Sequence, residues 1–406
     1  MPGGVADNGS EMLRAGEIVV LAVLALLCIG VVMVSSAGMS VGDAEPVTFQ
    51  SILLSRSTLY MVVAMAALFA ASLLPVARLS EWALRGRAVL WLVPIMLIAL
   101  AVVYVPGIGH EVKGASRWIK IPGGLTMQPS EVAKWGMIVL VSWYAVRNAD
   151  RLRRFRTGLL PALAGAGLLT AVVIKEDLGT GVLILCMTGV VLLAAGARLW
   201  HFMAMAPVAL GGLALAVWME PYRMRRLTTF LDPYQDPEGA GYHGIQSLVA
   251  IANGHGTGRG LGFGLQKFGY LPEDRTDFLF AIICEETGIV GALIVILLYI
   301  ALLTAGWRIV SRQTDAMLKL VGIGIITTVG VQAVINLLVV TGMAPTKGIA
   351  LPLLSSGGTG WILTAASLGV LVAMDRVTRA REVAAGVATD EAGRSLTTQA
   401  LQTSAA

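Results

Sequence analysis

The sequence predicts an all-α polytopic membrane protein of about ten transmembrane helices, with one large extracellular loop between spans 7 and 8. Three observations carry this. Hydrophobic residues are 56 % of the 406 and charged residues only 14 %, where a soluble domain carries about 25 %. So few charges would not coat the surfaces of the two or three soluble domains expected at this length. The apolar residues also fall in long runs, unlike the alternating strands of an outer-membrane barrel, and ten spans of about 20 residues would use roughly 200 residues. A soluble enzyme, a disordered chain and a collagen-like fibre are excluded.

The elements follow in order. Residues 1–16 are polar and read as a disordered cytoplasmic tail. A membrane domain then spans 17–376, with apolar runs near 17–37, 58–76, 88–106, 129–146, 158–174, 178–197, 200–218, 278–305, 317–342 and 351–375. The first run is longer than a signal-peptide core and is kept as a span. The loop 219–277 holds turn-rich DPYQDPEGAG (232–241), a mildly amphipathic stretch at 243–253 and a glycine at every second position from 254 to 264. Residues 377–406, rich in Ala, Thr and Ser from 382, read as a cytoplasmic, disordered tail.

The net charge of +5 fits basic cytoplasmic loops better than nucleic acid as a partner. With both termini cytoplasmic, 17 of the 30 Lys and Arg fall inside and 12 outside, Lys134 lying within a span. This predicts a multi-pass protein of the cytoplasmic (inner) membrane. Cys28, Cys186 and Cys284 all lie in apolar runs, and an odd count there gives no disulfide framework.

Ionisable groups at membrane depth are the sharpest signals, each costing roughly 3 kcal/mol or more at mid-bilayer. Glu131 and Lys134 share one helical face, acid before base, a favourable ion-pair order; they form either a structural pair or a charged site facing a cavity. Asp277 opens the eighth span as either a helix N-cap or a reactive carboxylate. Glu285 and Glu286 lie about 12 Å deeper and need partners or water; Lys267 and Arg275 are near in sequence. Gln332 and Asn336, one turn apart, suit hydrogen bonding between helices. The segment 343–360 breaks helical pattern at membrane depth, tolerated only where backbone lines a cavity or is buried in protein. The glycine run is either a plain turn or a phosphate nest; it lacks the ending of a P-loop and follows no strand.

MVSSAG (33–38), GASRWIKI (114–121), QPSEVAK (128–134), EDLGTG (176–181), DPEGAGYHGIQS (236–247), LPEDRTDFLFAIICEETG (271–288), QAVIN (332–336) and PTKGIALPLLSSGGTG (345–360) follow one another in order. Through them residues 17–376 resemble the SEDS family (shape, elongation, division and sporulation), the FtsW and RodA proteins of the bacterial cell wall. LQKFGYLPE (265–273) and PTKG (345–348) look more like the FtsW branch. Three motifs depart from the family's wording: Arg275 stands where the family has His, SSGGTG replaces SYGGSS at 355–360, and EDLGTG replaces PDLGTA.

The resemblance implies a peptidoglycan glycosyltransferase that polymerises lipid II, an undecaprenyl-diphosphate disaccharide pentapeptide, into glycan strands in cell division. It implies a class B penicillin-binding transpeptidase and other division proteins as partners, and a divalent cation (Mg or Mn) that no metal motif here displays. Asp277 is the expected catalytic base. Arg117, Lys120, Lys134 and Lys347 are the candidate cations for the leaving diphosphate. Trp118, Gln128, Glu131, Arg275, Glu285, Glu286, Gln332, Asn336, Ser355 and Ser356 are expected to bind substrate or support the site. A RodA-like elongation polymerase, a lipid II flippase and a non-catalytic scaffold of the transpeptidase stand as alternatives.

Overall fold

The computed structural model describes residues 13–39, 48–105, 109–112, 115–121, 125–239, 241–346, 348–356 and 358–404. Every apolar run coincides with a helix: α1 (Ala15–Ala37), α3 (Arg56–Ser72), α5 (Leu92–Val102), α6 (Pro129–Arg147), α8 (Leu160–Glu176), α9 (Leu178–Ala194), α10 (Leu199–Trp218), α13 (Leu279–Ser311), α14 (Ala316–Val340) and α15 (Thr359–Ser404). Short helices α2 (Phe49–Leu53), α4 (Val76–Arg85) and α7 (Ala149–Leu152) lie between them. Among the described residues six helices are long and apolar enough to cross a membrane, or seven if α3 and α4, bent by 71°, form one span. That is fewer than the ten apolar runs, because α5 and α9 have only 11 and 17 residues and α6 carries Glu131, Lys134 and Arg147.

The core lies where α1, α6, α9, α13, α14 and α15 meet. α1 buries Val19, Val23, Leu26 and Leu27, at the three- and four-residue steps that put side chains on one face. α10 is different: no residue of it is buried, although it is apolar all round. Such a helix suits lipid on most of its surface, and its C-terminal end continues into α11 (Pro221–Leu231), which carries it back to the bundle.

Outside the bundle, residues 109–127 form an antiparallel sheet of β1 (Gly109–Val112), β2 (Ala115–Ile121) and β3 (Leu125–Met127), in that order. The sequence reading did not anticipate it. The loop 219–277 is ordered by α11 and by α12 (Tyr242–Gly254), which realises the amphipathic stretch. The tail expected to be disordered beyond 377 is helical to Ser404. Ala, Glu and Arg after 376 are good helix formers, so the last helix continues past the apolar stretch.

α13 is broken at Gly288, whose φ of 65° and ψ of −157° are not helical. A broken helix exposes backbone groups that must be paired at membrane depth. The glycine run supplies the pairing: Arg259 and Gly260 donate their amides to the carbonyls of Glu285 and Glu286 at 2.9 Å, and Ile289 donates to the Gly256 carbonyl at 3.2 Å. This close approach explains the glycines. A Cβ on Gly254 would lie 1.9 Å from the Cys284 oxygen, and one on Gly258 would lie 2.2 Å from the Glu286 oxygen. The run is therefore a packed backbone plug, neither a plain turn nor a phosphate nest.

At Gly258, φ +77°, a Cβ would add left-handed strain of about 1–2 kcal/mol to that clash. Gly258→Ala is expected to lower the melting temperature in detergent markedly, while Gly256→Ala, whose Cβ would meet nothing within 4 Å, should leave it nearly unchanged. Equal melting of the two variants would contradict the plug.

Candidate functional site

A cavity of about 1210 Å³ opens between the ends of α6, α8, α9 and α15, the helix α11 and the segments 273–277 and 345–356. Proline and glycine keep 345–356 out of helix, so its backbone lines the space. Trp118, Gln128, Glu131, Asp277, Gln332, Ser355 and Ser356 of the expected site residues line it.

Asp277 lies two residues before α13, and the N-cap position belongs to Phe278, which makes no side-chain cap bond. Asp277 therefore stands one residue outside the N-cap position. Its backbone carbonyl accepts from Asn336 Nδ2 at 2.8 Å, and the same amide donates to the Ile349 carbonyl at 2.8 Å. Asn336 therefore fixes Asp277 against the 345–356 segment rather than bridging two helices. A Cβ at Gly348 would stand 3.3 Å from Asp277 Oδ2, so this glycine leaves the carboxylate room. In the same loop, burial pushes the carboxyl of Asp274 up to about 6, against the pull of the adjacent Arg275 guanidinium.

Lys134 is 1 % exposed and Glu131 9 %. Lys134 Nζ donates to Glu131 Oε1 at 2.8 Å and to Gln332 Oε1 at 3.1 Å, and Gln332 Nε2 donates to the Ala350 carbonyl at 2.9 Å. One buried cation so joins α6 to α14 and to the lining segment. Glu131 Oε2 has no hydrogen-bond partner among the described residues. The ion pair is at once structural and at the cavity wall.

Asp177 was not singled out from the sequence. It caps α9 through the Thr180 amide at 3.0 Å, accepts the Thr180 hydroxyl at 2.7 Å and the Gln128 amide at 3.3 Å, and lines the cavity. The EDLGTG motif was its signal. Lys175, Arg223 and Arg226 line the cavity too; the three-residue spacing of the two arginines, read with a helix over 221–231, would have placed them on one face.

Other expected residues lie elsewhere. Arg275 is exposed and donates to the Gly38 carbonyl at 2.8 Å, fastening α1 rather than facing the cavity. Glu285 and Glu286 are 0 % and 1 % exposed and hold the plug. Glu285 accepts from the Leu265 and Gln266 amides; Glu286 accepts from the Gly262 amide, the Ser36 hydroxyl and Lys267 Nζ, the last at 2.8 Å. The side chains of Arg117 and Lys120, and the whole of Lys347, lie outside what the structure describes. No group of three or more His, Cys, Asp or Glu that could hold a metal ion occurs among the described residues.

Removing one partner of a buried ion pair costs roughly 3–5 kcal/mol because the other charge stays uncompensated. Lys134→Met is expected to lower folded yield and melting temperature, and adding Glu131→Gln should recover most of the loss. A Lys134→Met protein as stable as the parent would contradict this reading.

Residues 17–380 match the family of FtsW, RodA and SpoVE, described as cell cycle proteins. The chain is 36 % identical over 372 residues to a probable peptidoglycan glycosyltransferase FtsW of Geobacter metallireducens, covering 90 % of this chain and 96 % of the relative. It is 38 % identical over 377 residues to one of Nitrosococcus halophilus, covering 89 % and 92 %. A solved peptidoglycan synthase complex, described as coordinating polymerization and crosslinking, contains a chain 28 % identical with a TM-score of 0.67, covering 89 % of this chain and 97 % of that one. The rod shape determining protein RodA of Thermus thermophilus gives 27 % and 0.58, covering 88 % and 95 %. A multi-pass helical bundle that matches the family over residues 17–380 thus belongs to the FtsW/RodA/SpoVE family.

Proposed function

We propose that this chain is a peptidoglycan glycosyltransferase that polymerises lipid II at the outer face of the cytoplasmic membrane, with ten spans and both termini cytoplasmic. The observation that carries the proposal is a carboxylate, Asp277, at the wall of a large polar-mouthed cavity beside an irregular lining segment. The lipid tail suits the apolar flanks; the sugars and diphosphate suit the charged mouth. Relatives that carry the name peptidoglycan glycosyltransferase FtsW support the activity, and LQKFGYLPE with PTKG favours a division role.

In the proposed step the acceptor sugar's 4-hydroxyl oxygen attacks the donor's anomeric carbon. Asp277 takes the hydroxyl proton as the new C–O bond forms. The bond from the anomeric carbon to the diphosphate breaks, and its electron pair leaves with the lipid diphosphate. Direct displacement inverts the anomeric centre. The open acceptor Glu131 Oε2 and the Gln128–Asp177 pair offer hydrogen bonds to sugar hydroxyl and amide groups. A class B penicillin-binding transpeptidase is the proposed partner; a chain of similar fold occurs in a synthase complex. A flippase would use the same cavity for passage, without needing a base.

General-base assistance is typically worth 10²–10⁴-fold. Asp277→Asn is expected to insert and fold normally yet to polymerise purified lipid II at least about 100-fold more slowly. Near-normal glycan synthesis by this variant would overturn the base assignment.

A further inference from the structure

We infer that Arg223 and Arg226 of α11 form the anion site that receives the diphosphate of the lipid substrate. The inference rests on the glycosyl-transfer reading for its ligand, but not on Asp277 for its geometry.

Of the cations first expected to meet the diphosphate, Lys134 is the one whose side chain the structure describes. Lys134 is spent on Glu131 and Gln332. Among the described residues the cations on the cavity wall are Lys175, Arg223 and Arg226. α11 turns Arg223 and Arg226 inward, half-buried, and leaves Arg225 exposed. Neither inward guanidinium is met by a carboxylate among the described residues. Arg223 donates to the carbonyls of Ala216, Ile174 and Lys175 at 3.0, 2.9 and 3.1 Å. Arg226 donates to the Thr346 carbonyl at 3.0 Å and to the Tyr222 hydroxyl, with its guanidinium 4.5 Å from the Tyr222 ring centre. These bonds orient the forks without neutralising them. A guanidinium carries five N–H donors, so N–H groups remain for phosphate oxygens, the anion best matched by a planar fork.

Position relative to Asp277 agrees. Arg226 holds Thr346, and Gly348, two residues on, stands against Asp277 Oδ2. Two residues of chain span at most about 7 Å, which keeps the guanidinium and the carboxylate on the same stretch of cavity wall. An inverting displacement needs base and leaving group on opposite sides of the anomeric carbon, about one sugar apart. Arg223 adds a second consequence: its grip on the carbonyls at the end of α8 ties the otherwise exposed α10–α11 unit to the bundle. A bound diphosphate would thus meet the helix that closes this wall of the cavity.

The test is binding of undecaprenyl diphosphate to the full chain in lipid nanodiscs, beside uncharged undecaprenol. Arg223→Gln and Arg226→Gln are each expected to weaken the diphosphate about tenfold or more, as loss of a charge-assisted hydrogen-bond pair does, with undecaprenol unchanged. Arg225→Gln should change neither, and Arg226→Lys, which keeps the charge but not the fork, should weaken the diphosphate by less than Gln. Unchanged diphosphate affinity in the Arg223 and Arg226 variants would overturn the inference. So would an equal loss of both lipids, which marks a collapsed cavity; if the Gln variants do not fold, unchanged affinity in Arg226→Lys overturns it as well. Asp277→Asn assayed alongside separates the two proposals. Normal polymerisation by Asp277→Asn with diphosphate binding lost in the arginine variants would sink the base and keep the anion site; the reverse pattern would do the opposite.

Discussion

Charge buried in a low-dielectric bundle must be met within the protein, and the chain around the break in α13 is arranged around one such meeting. Glu286 and Lys267 are a 2.8 Å pair with side chains at 0 % exposure. In isolation either would be costly at this depth. Ser36 on α1 and the backbone of Gly262 complete the set of partners. The pair therefore binds three parts of the chain at once: the first helix, the glycine-rich plug and the broken helix α13. Glu285 beside it captures the next two plug amides. From this clamp the chain has only ten residues to travel, from 267 to 277, before it presents Asp277 to the cavity.

The second buried pair, Glu131 with Lys134, does the matching work at the cavity wall. Through Gln332 it reaches the carbonyl of Ala350, and Asn336, one turn along α14, holds the carbonyls of Asp277 and Ile349. The two amides on α14 thus set the irregular segment and the Asp277 backbone against each other. Such fixed geometry is what a displacement reaction requires, since misplacement of reacting groups is costly in rate. α11 differs in kind, being held through arginine bonds to backbone carbonyls and joined to a helix with no buried residue. One wall of the cavity is held by a buried ion pair and its amide partners; the other is held by arginine bonds to backbone carbonyls.

Much of this was legible in the sequence because membrane depth makes polar residues conspicuous. The ten apolar runs each became a helix, and Glu131, Lys134, Asp277, Glu285, Glu286, Gln332 and Asn336 stood out as groups lipid would not tolerate. Their partners were less legible. Ser36 lies 250 residues from Glu286, and no local spacing reports such a contact. The glycine run looked like a turn because its constraint, a backbone closer than a Cβ allows, lies in α13. Arg223, Arg226 and Asp177 were missed for a different reason: they sit in segments counted as loop or span end, where charge is unremarkable, and only the fold turns them to the cavity. The short sheet formed by β1, β2 and β3 escaped notice because it lies between two apolar runs.

The central claim is that the Lys267–Glu286 clamp positions Asp277, the proposed base, at the cavity wall without touching substrate. Lipid II polymerisation by Lys267→Met, Glu286→Gln and the double variant, each first checked for membrane insertion, tests it most directly. Lys267→Met leaves a buried carboxylate uncompensated and Glu286→Gln a buried ammonium, so the account predicts large losses of turnover in both. The neutral double variant keeps the hydrogen bonds from Gly262 and Ser36 and should recover much of the rate, with the Michaelis constant for lipid II little changed throughout. Single variants that polymerise at the parent rate, or a double variant no better than either, would contradict it.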